Sequence, residues 1–303
     1  MPGDERVVEI SSPGVFLRTS DERLRIEKDG HVVGDVPLVD VATIILTSPD
    51  AVVSRATLDA VTRHGGSVVV CGPQHQPTAM LMPLAGHHAP TPRLLAQAAA
   101  SKPTHKRLWK QIVVAKIKAQ AAHLEARDRP DATLRTIAGG VRSGDVANAE
   151  GWAAQRYWPA LFGKAFRRRR DGQPPNALLN YGYAVLRAGA ARALAAAGLH
   201  PTLGVNHHAR NNPLCLADDL MEPFRPVVDV LAHQCVAHRQ AEPTTESRAA
   251  VAAVLSHRVA HQGELRSTSD WLHRAAASLA SVYTRGRRDL LLPEGLADAA
   301  TYR

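Results

Sequence analysis

The spacing of apolar residues changes once along this chain, and that change limits what it can fold into. From 6 to 84 the apolar period is close to two; from 105 onward it is close to 3.6. Alternation puts side chains on the two faces of a sheet, while a 3.6-residue period puts them on one stripe of a helix. The 303-residue chain is therefore predicted to be an α+β two-domain protein. A β-rich domain over 1–88, suited to packing or dimerisation, is expected to precede a hinge at 89–104 and an α-helical domain over 105–303.

In the first domain, RVVEIS (6–11), VFLRT (15–19), RLRIEK (23–28) and HVVGDV (31–36) read as short strands. Asp29-Gly30 between two of them is a hairpin signal. VATIILT (41–47) is apolar throughout, as a strand covered on both faces is. SRATLDAVTRHGG (54–66) reads as one helix stopped by Gly65-Gly66, with strands at 67–72 and 78–84 after it. The expectation is an antiparallel β domain carrying one helix.

HHAPTPR (87–93) and SKPT (101–104) supply the proline-bearing hinge. Residues 105–126 then place Trp109, Ile112, Val113 and Ile117 on a single stripe. Lys106, Arg107, Lys110, Lys116 and Lys118 lie mostly off it, as a phosphate-binding face or as an ordinary solvated one. Further helices are predicted at 143–163, 174–199, 227–239, 243–259 and 267–286. Glu150 stands between Ala149 and Gly151, where nothing bulky prevents a neighbouring helix from approaching. FRRRRDG (166–172) is a loop whose arginines, Arg167, Arg168, Arg169 and Arg170, match the fork geometry of phosphates.

LGVNHHARNNPLCLADDLMEPFRPVVD (203–229) carries the densest chemistry. His207 and His208 are followed by Asp218, Asp219, Glu222 and Arg225. Asp219 and Glu222, three residues apart, share a helix face. An imidazole converging with two carboxylates is a ligand set for Mg²⁺ or Mn²⁺. The same acids also read as a helix start, with the histidine pair in a solvated turn.

Net charge is +9 from 37 basic and 28 acidic residues, a field attractive to polyanions, nucleic acid first. Cys71, Cys215 and Cys235 lack CxxC spacing and read as buried free thiols in a reducing compartment. No apolar run approaches the length of a membrane span, so a cytoplasmic protein making no membrane contact is expected.

GDVANAEGWAAQRYW, NALLNYGYAVLRA and the 203–229 stretch, in that order behind a β-rich start, resemble the CRISPR-associated endonuclease and integrase of spacer acquisition. That family is the first of the two core adaptation proteins. The resemblance covers about 1–285, and the HHxxxxxxxLADDLMEPFRP form is most similar to type II versions. It implies a β-sandwich-like N-terminal domain joined to an all-α catalytic domain. It also implies a metal site of Glu150, His207 and Glu222, with Asp219 as a further acid near the metal. His208 is the alternative ligand if the register slips by one. Implied partners are double-stranded DNA (the prespacer and the CRISPR repeat), a second copy of the chain, and a small ferredoxin-like adaptation protein.

The implied reaction is metal-assisted phosphoryl transfer, joining a 3′-OH of foreign DNA to the repeat, or endonucleolytic cleavage when water attacks. Mg²⁺ and Mn²⁺ are both expected to serve, with Mn²⁺ better suited to an imidazole ligand. Lys106, Arg107, Lys110 and the four arginines are expected to hold the DNA backbone. Two other functions share these features: a structure-selective repair or recombination nuclease, and a non-catalytic nucleic-acid-binding scaffold.

Overall fold

The computed structural model describes residues 6–72, 77–83, 87, 89–169, 171–261, 263–293 and 297–298. The chain divides into two compact units, Met1–Gly86 and His87–Arg303.

The first unit runs β1 (Arg6–Ile10), β2 (Val15–Ser20), β3 (Arg23–Lys28), β4 (His31–Pro37), β5 (Val41–Leu46), β6 (Val52–Val53), α1 (Arg55–Arg63), β7 (Ser67–Cys71) and β8 (Pro77–Leu81). It holds two four-stranded sheets, ordered β1-β5-β7-β8 and β4-β3-β2-β6. Asp29 and Gly30 both take positive φ, at 50° and 78°, and close the β3–β4 hairpin. β5 is the apolar run, buried along nearly its whole length between β1 and β7. Neither sheet is purely antiparallel, contrary to expectation: β5 pairs in parallel with β1 and β7, and β2 with β6. For β7 the cause is α1, which carries the chain back across the unit so that β7 enters beside β5 in the same direction. Ile10, Ile44 and Val68 of one sheet, Leu17 and Leu24 of the other, and Val61 of α1 form one core.

The second unit begins with α2 (Pro90–Ala98), so most of the expected hinge is helical. Its prolines fall in the first turn, where a missing N–H costs nothing. There follow α3 (Lys102–Glu125), α4 (Ala132–Gly140), α5 (Ala149–Phe162), α6 (Asn176–Ala196), α7 (Cys215–Met221), α8 (Arg225–Ala237), α9 (Thr245–Ala252) and α10 (Thr268–Arg285). α3 is capped by Ser101, which accepts from the Thr104 amide, and it buries Trp109, Ile112, Val113 and Ile117. The small residues of α6 admit neighbouring helices: a Cβ on Gly182 would stand 2.5 Å from Val228 Cγ1 of α8 and 2.3 Å from Val251 Cγ1 of α9.

This unit is not all-α. β9 (Arg258–His261), β10 (Glu264–Ser267) and β11 (Ala297–Asp298) form a three-stranded antiparallel sheet. The helix expected to reach 259 ends at Ala252 and passes through a 3₁₀ turn into β9, where the Val259 carbonyl accepts from the Trp271 indole. Among the described residues, no helix is long and apolar enough to cross a membrane.

Candidate active site

Three parts of the second unit meet on one nitrogen. α3 brings Lys116, the first turn of α5 brings Glu150, and a 3₁₀ turn at Glu222–Phe224 between α7 and α8 brings Glu222. Lys116 Nζ lies 2.5 Å from Glu150 Oε1 and 2.6 Å from Glu222 Oε2. Glu222 Oε1 is 2.9 Å from Arg225 Nε, one turn further on. The side chains of Lys116, Glu150 and Glu222 are 12%, 27% and 5% exposed.

Local chemistry fixes where Glu150 starts. Asn148 takes φ 54°, and its side chain accepts from the Gly151 amide. Asp145 accepts from the amides of Ala149 and Glu150 at 2.8 and 3.1 Å. A Cβ at 151 would meet Asn148 Nδ2 at 2.6 Å, so Gly151 serves this cap rather than a neighbouring helix.

Asp219 of α7 is wholly buried and organises the loop before it. Its carboxylate accepts from the amides of Val205, Asn206 and His207 at 2.6, 3.0 and 3.2 Å, and from His207 Nδ1 at 2.6 Å. A carboxylate can only accept here, so the ring proton sits on Nδ1, and neutral His207 keeps its lone pair on Nε2. The ring packs edge-on against Trp109 with centroids 5.8 Å apart. The hydrogen bond to Asp219 raises the His207 pKa; partial burial opposes it, and the charges of Asp219 and Glu222 add to it. Asp218 turns away and pairs with Arg187 of α6 at 2.6 Å.

Burial pulls the Lys116 pKa down, but Glu222 and Glu150 outweigh it and the net shift is upward. Burial pushes Glu222 up, while Arg225 and Lys116 bring it below the usual carboxylate range. The cluster is thus charged and paired.

Behind it lies a second buried network. Asp229 accepts from Tyr157 Oη at 3.0 Å and from Tyr183 Oη at 2.5 Å. The Arg225 guanidinium stands 4.6 Å over the Tyr183 ring, and His123 Nδ1 lies 2.6 Å from Tyr157 Oη. Burial raises the Asp229 pKa to about 6, with the Tyr183 and Tyr157 hydroxyls holding it down. An unfolded Asp titrates near 3.9, so between about pH 4 and 6 the folded chain binds the extra proton and loses stability as pH rises. Asp229→Asn removes that loss. In urea unfolding, the variant should gain about 2–3 kcal/mol on the wild type between pH 4.5 and 7. Parallel stability curves over that range would refute it.

Of the residues singled out from sequence, Glu150 and Glu222 come together on Lys116, and His207 joins Asp219. His207 and Glu222 are within electrostatic reach of each other. His208 is exposed and lies toward His105, whose pKa is lowered by burial and by His208. Among the described residues, no group of three or more His, Cys, Asp or Glu side chains is placed to hold a metal ion. Lys106 packs its stem by Gly144, Arg107 is half-buried, and Lys110 is exposed. Arg167 and Arg169 are exposed, whereas Arg168 is engaged by Asn176 and Asn180 at 2.9 and 2.6 Å. Arg170 lies outside the described residues.

The order of these elements, and the pairing of an α5 glutamate with the α7–α8 turn, can be compared with known families. The family described as CRISPR associated protein Cas1 matches residues 8–263. The chain belongs to the Cas1 family. It is 37% identical over 286 residues to the CRISPR-associated endonuclease Cas1 of Neisseria meningitidis serogroup C (strain 8013), covering 93% of each chain. In three dimensions it is similar to a casposase bound to integration product, with a TM-score of 0.77, 21% identity, and coverage of 94% of this chain and 92% of that one. It also matches a chain of a Cas6-RT-Cas1–Cas2 complex, with a TM-score of 0.71 and 15% identity over 97% of this chain and 36% of that one.

Within this Cas1-family site, sequence reasoning missed Lys116, Asp229, Tyr157 and Tyr183. For Lys116 a signal existed: it stands four residues after Ile112 and seven after Trp109, on the buried stripe.

Proposed function

We propose that this Cas1-family chain is a metal-dependent DNA integrase and endonuclease of CRISPR spacer acquisition. The observation carrying this reading is the convergence of Glu150 and Glu222 on one cationic nitrogen, with the His207 imidazole within electrostatic reach of Glu222. Two carboxylates already gathered around a positive charge fit a divalent cation, and Mg²⁺ or Mn²⁺ suits that donor set. Glu150, Glu222 and His207 would hold it; when bound, it supplies Lewis-acid stabilisation at a phosphate oxygen and a lowered hydroxyl pKa.

The chain's own residues do the positioning. Asp219 keeps the His207 proton on Nδ1, which leaves the Nε2 lone pair of the neutral ring for a ligand bond. Arg225, braced on Tyr183, holds one oxygen of Glu222. Exposed Arg167 and Arg169, with Lys106 and Lys110, offer charge to a DNA backbone. In joining, the 3′-OH of a foreign fragment attacks a phosphodiester at the repeat; one P–O bond forms and one breaks, releasing a new 3′-OH. With water as the nucleophile, the same site cleaves DNA.

The chain acts as a homodimer with a small ferredoxin-like adaptation partner. The likeness to a chain of a Cas6-RT-Cas1–Cas2 complex supports an adaptation partner, and the likeness to a casposase bound to integration product supports the joining reaction. The test uses purified chain, a duplex with free 3′-OH ends and a repeat-bearing plasmid, with Mn²⁺ or EDTA, with and without the small partner. Joined product is expected only with the ion, and joining at the repeat end only with the partner. Cleavage of branched DNA with no joining would mark a repair nuclease. DNA binding with neither product, indifferent to the ion, would mark a scaffold.

A further inference from the structure

We propose that Lys116 is the resident counter-ion of the Glu150–Glu222 pair, holding both carboxylates together and competing with a divalent cation for their oxygens. This rests on the reading of Glu150 and Glu222 as ligands.

Both oxygens of Glu222 are occupied: Oε2 by Lys116 at 2.6 Å and Oε1 by Arg225 at 2.9 Å. Each oxygen of Glu222 already faces a cation, so an incoming ion must share it or displace that cation. The two cations are not equally fixed. Arg225 lies 4.6 Å over the Tyr183 ring, and Tyr183 is itself tied to buried Asp229. Lys116 reaches its partners on a flexible four-carbon stem, and the two oxygens that accept from it, Glu150 Oε1 and Glu222 Oε2, are ones an ion also wants.

Charge points the same way. Glu150, Glu222, Lys116 and Arg225 form a balanced set, which is what a largely buried cluster requires. Adding a divalent ion with Lys116 in place leaves two surplus positive charges. The surplus is relieved when the ammonium swings out and when a phosphate arrives. Lys116 therefore keeps two like charges from driving the site apart before substrate binds, and it weakens binding of a bare ion.

The test titrates Mn²⁺ alone into the full chain by calorimetry, comparing wild type with K116M, K116Q and K116R. K116M and K116Q are expected to bind about ten-fold tighter or more, since a like charge has left the site. K116R, which keeps the charge, should bind no tighter than wild type. Without the ion, K116M should melt below wild type and should gain more on adding Mn²⁺. If K116M does not fold, K116Q carries the test, being a hydrogen-bond donor of similar reach. Wild-type or weaker Mn²⁺ affinity in K116M and K116Q would overturn the counter-ion role alone, provided that E150Q still abolishes binding. Mn²⁺ binding that is absent from every variant, or indifferent to E150Q and E222Q, would instead remove the ligand assignment beneath it.

Discussion

Glu222→Gln is expected to lower metal-dependent strand transfer and cleavage by about 10²–10⁴-fold, the equivalent of several kcal/mol of transition-state stabilisation. The substitution keeps the shape of the side chain and removes its charge. The charge matters twice, because Glu222 also neutralises Lys116 and Arg225 in a site where it is 5% exposed. Stranding those cations costs about 3–5 kcal/mol of stability by the usual measure of a broken buried pair. Lost activity in this variant therefore mixes chemistry with folding. Glu150→Gln separates them. Glu150 is 27% exposed and, among the described residues, its side chain pairs with Lys116 alone, so its loss should cost less stability for a comparable loss of rate. DNA affinity, measured by fluorescence anisotropy without the ion, should stay near wild type in both. Strand transfer within ten-fold of wild type in folded E150Q would take Glu150 out of the chemistry.

Local signals carried far in the sequence and stopped where pairing becomes non-local. Asp29-Gly30 announces its hairpin because two adjacent residues must both take positive φ. That β5 lies parallel to β1 and β7 is not visible in those segments, because the direction of a neighbour is set by the intervening chain. The β9–β10 hairpin hides for another reason. Its four-residue strands are too short to break the helical period on either side. In the site, acids and histidines announce themselves by type, but their use depends on what packs opposite. By sequence, Lys116 belongs with a basic helix face, phosphate-binding or solvated, because its charge outweighs its position. It sits on the buried stripe because two carboxylates are there to meet it. Asp218 and Asp219 are neighbours in sequence with opposite duties: one anchors to Arg187 of α6, the other to the loop that carries His207.

Asp219→Ala should damage both the fold of the site and its metal binding. Its carboxylate is wholly buried and collects four hydrogen bonds, three from consecutive backbone amides at 205–207 and one from the His207 ring. Alanine leaves those amides without their acceptor, at a cost of about 3 kcal/mol or more, read as a fall in the urea midpoint. Freed from Asp219, the ring also loses the partner that fixes its tautomer, which should lower Mn²⁺ affinity and rate about 10–100-fold. Asp219→Asn distinguishes support from coordination. Its amide oxygen still accepts from the Val205 and Asn206 amides, while its nitrogen can no longer accept from the His207 amide or from His207 Nδ1. A supporting residue should then give a graded series, with asparagine retaining more stability and more activity than alanine. If Asp219 were itself a ligand, asparagine should fail as completely as Glu222→Gln while leaving the loop folded. Urea unfolding and Mn²⁺ titration of the three variants side by side therefore decide which role this buried carboxylate plays.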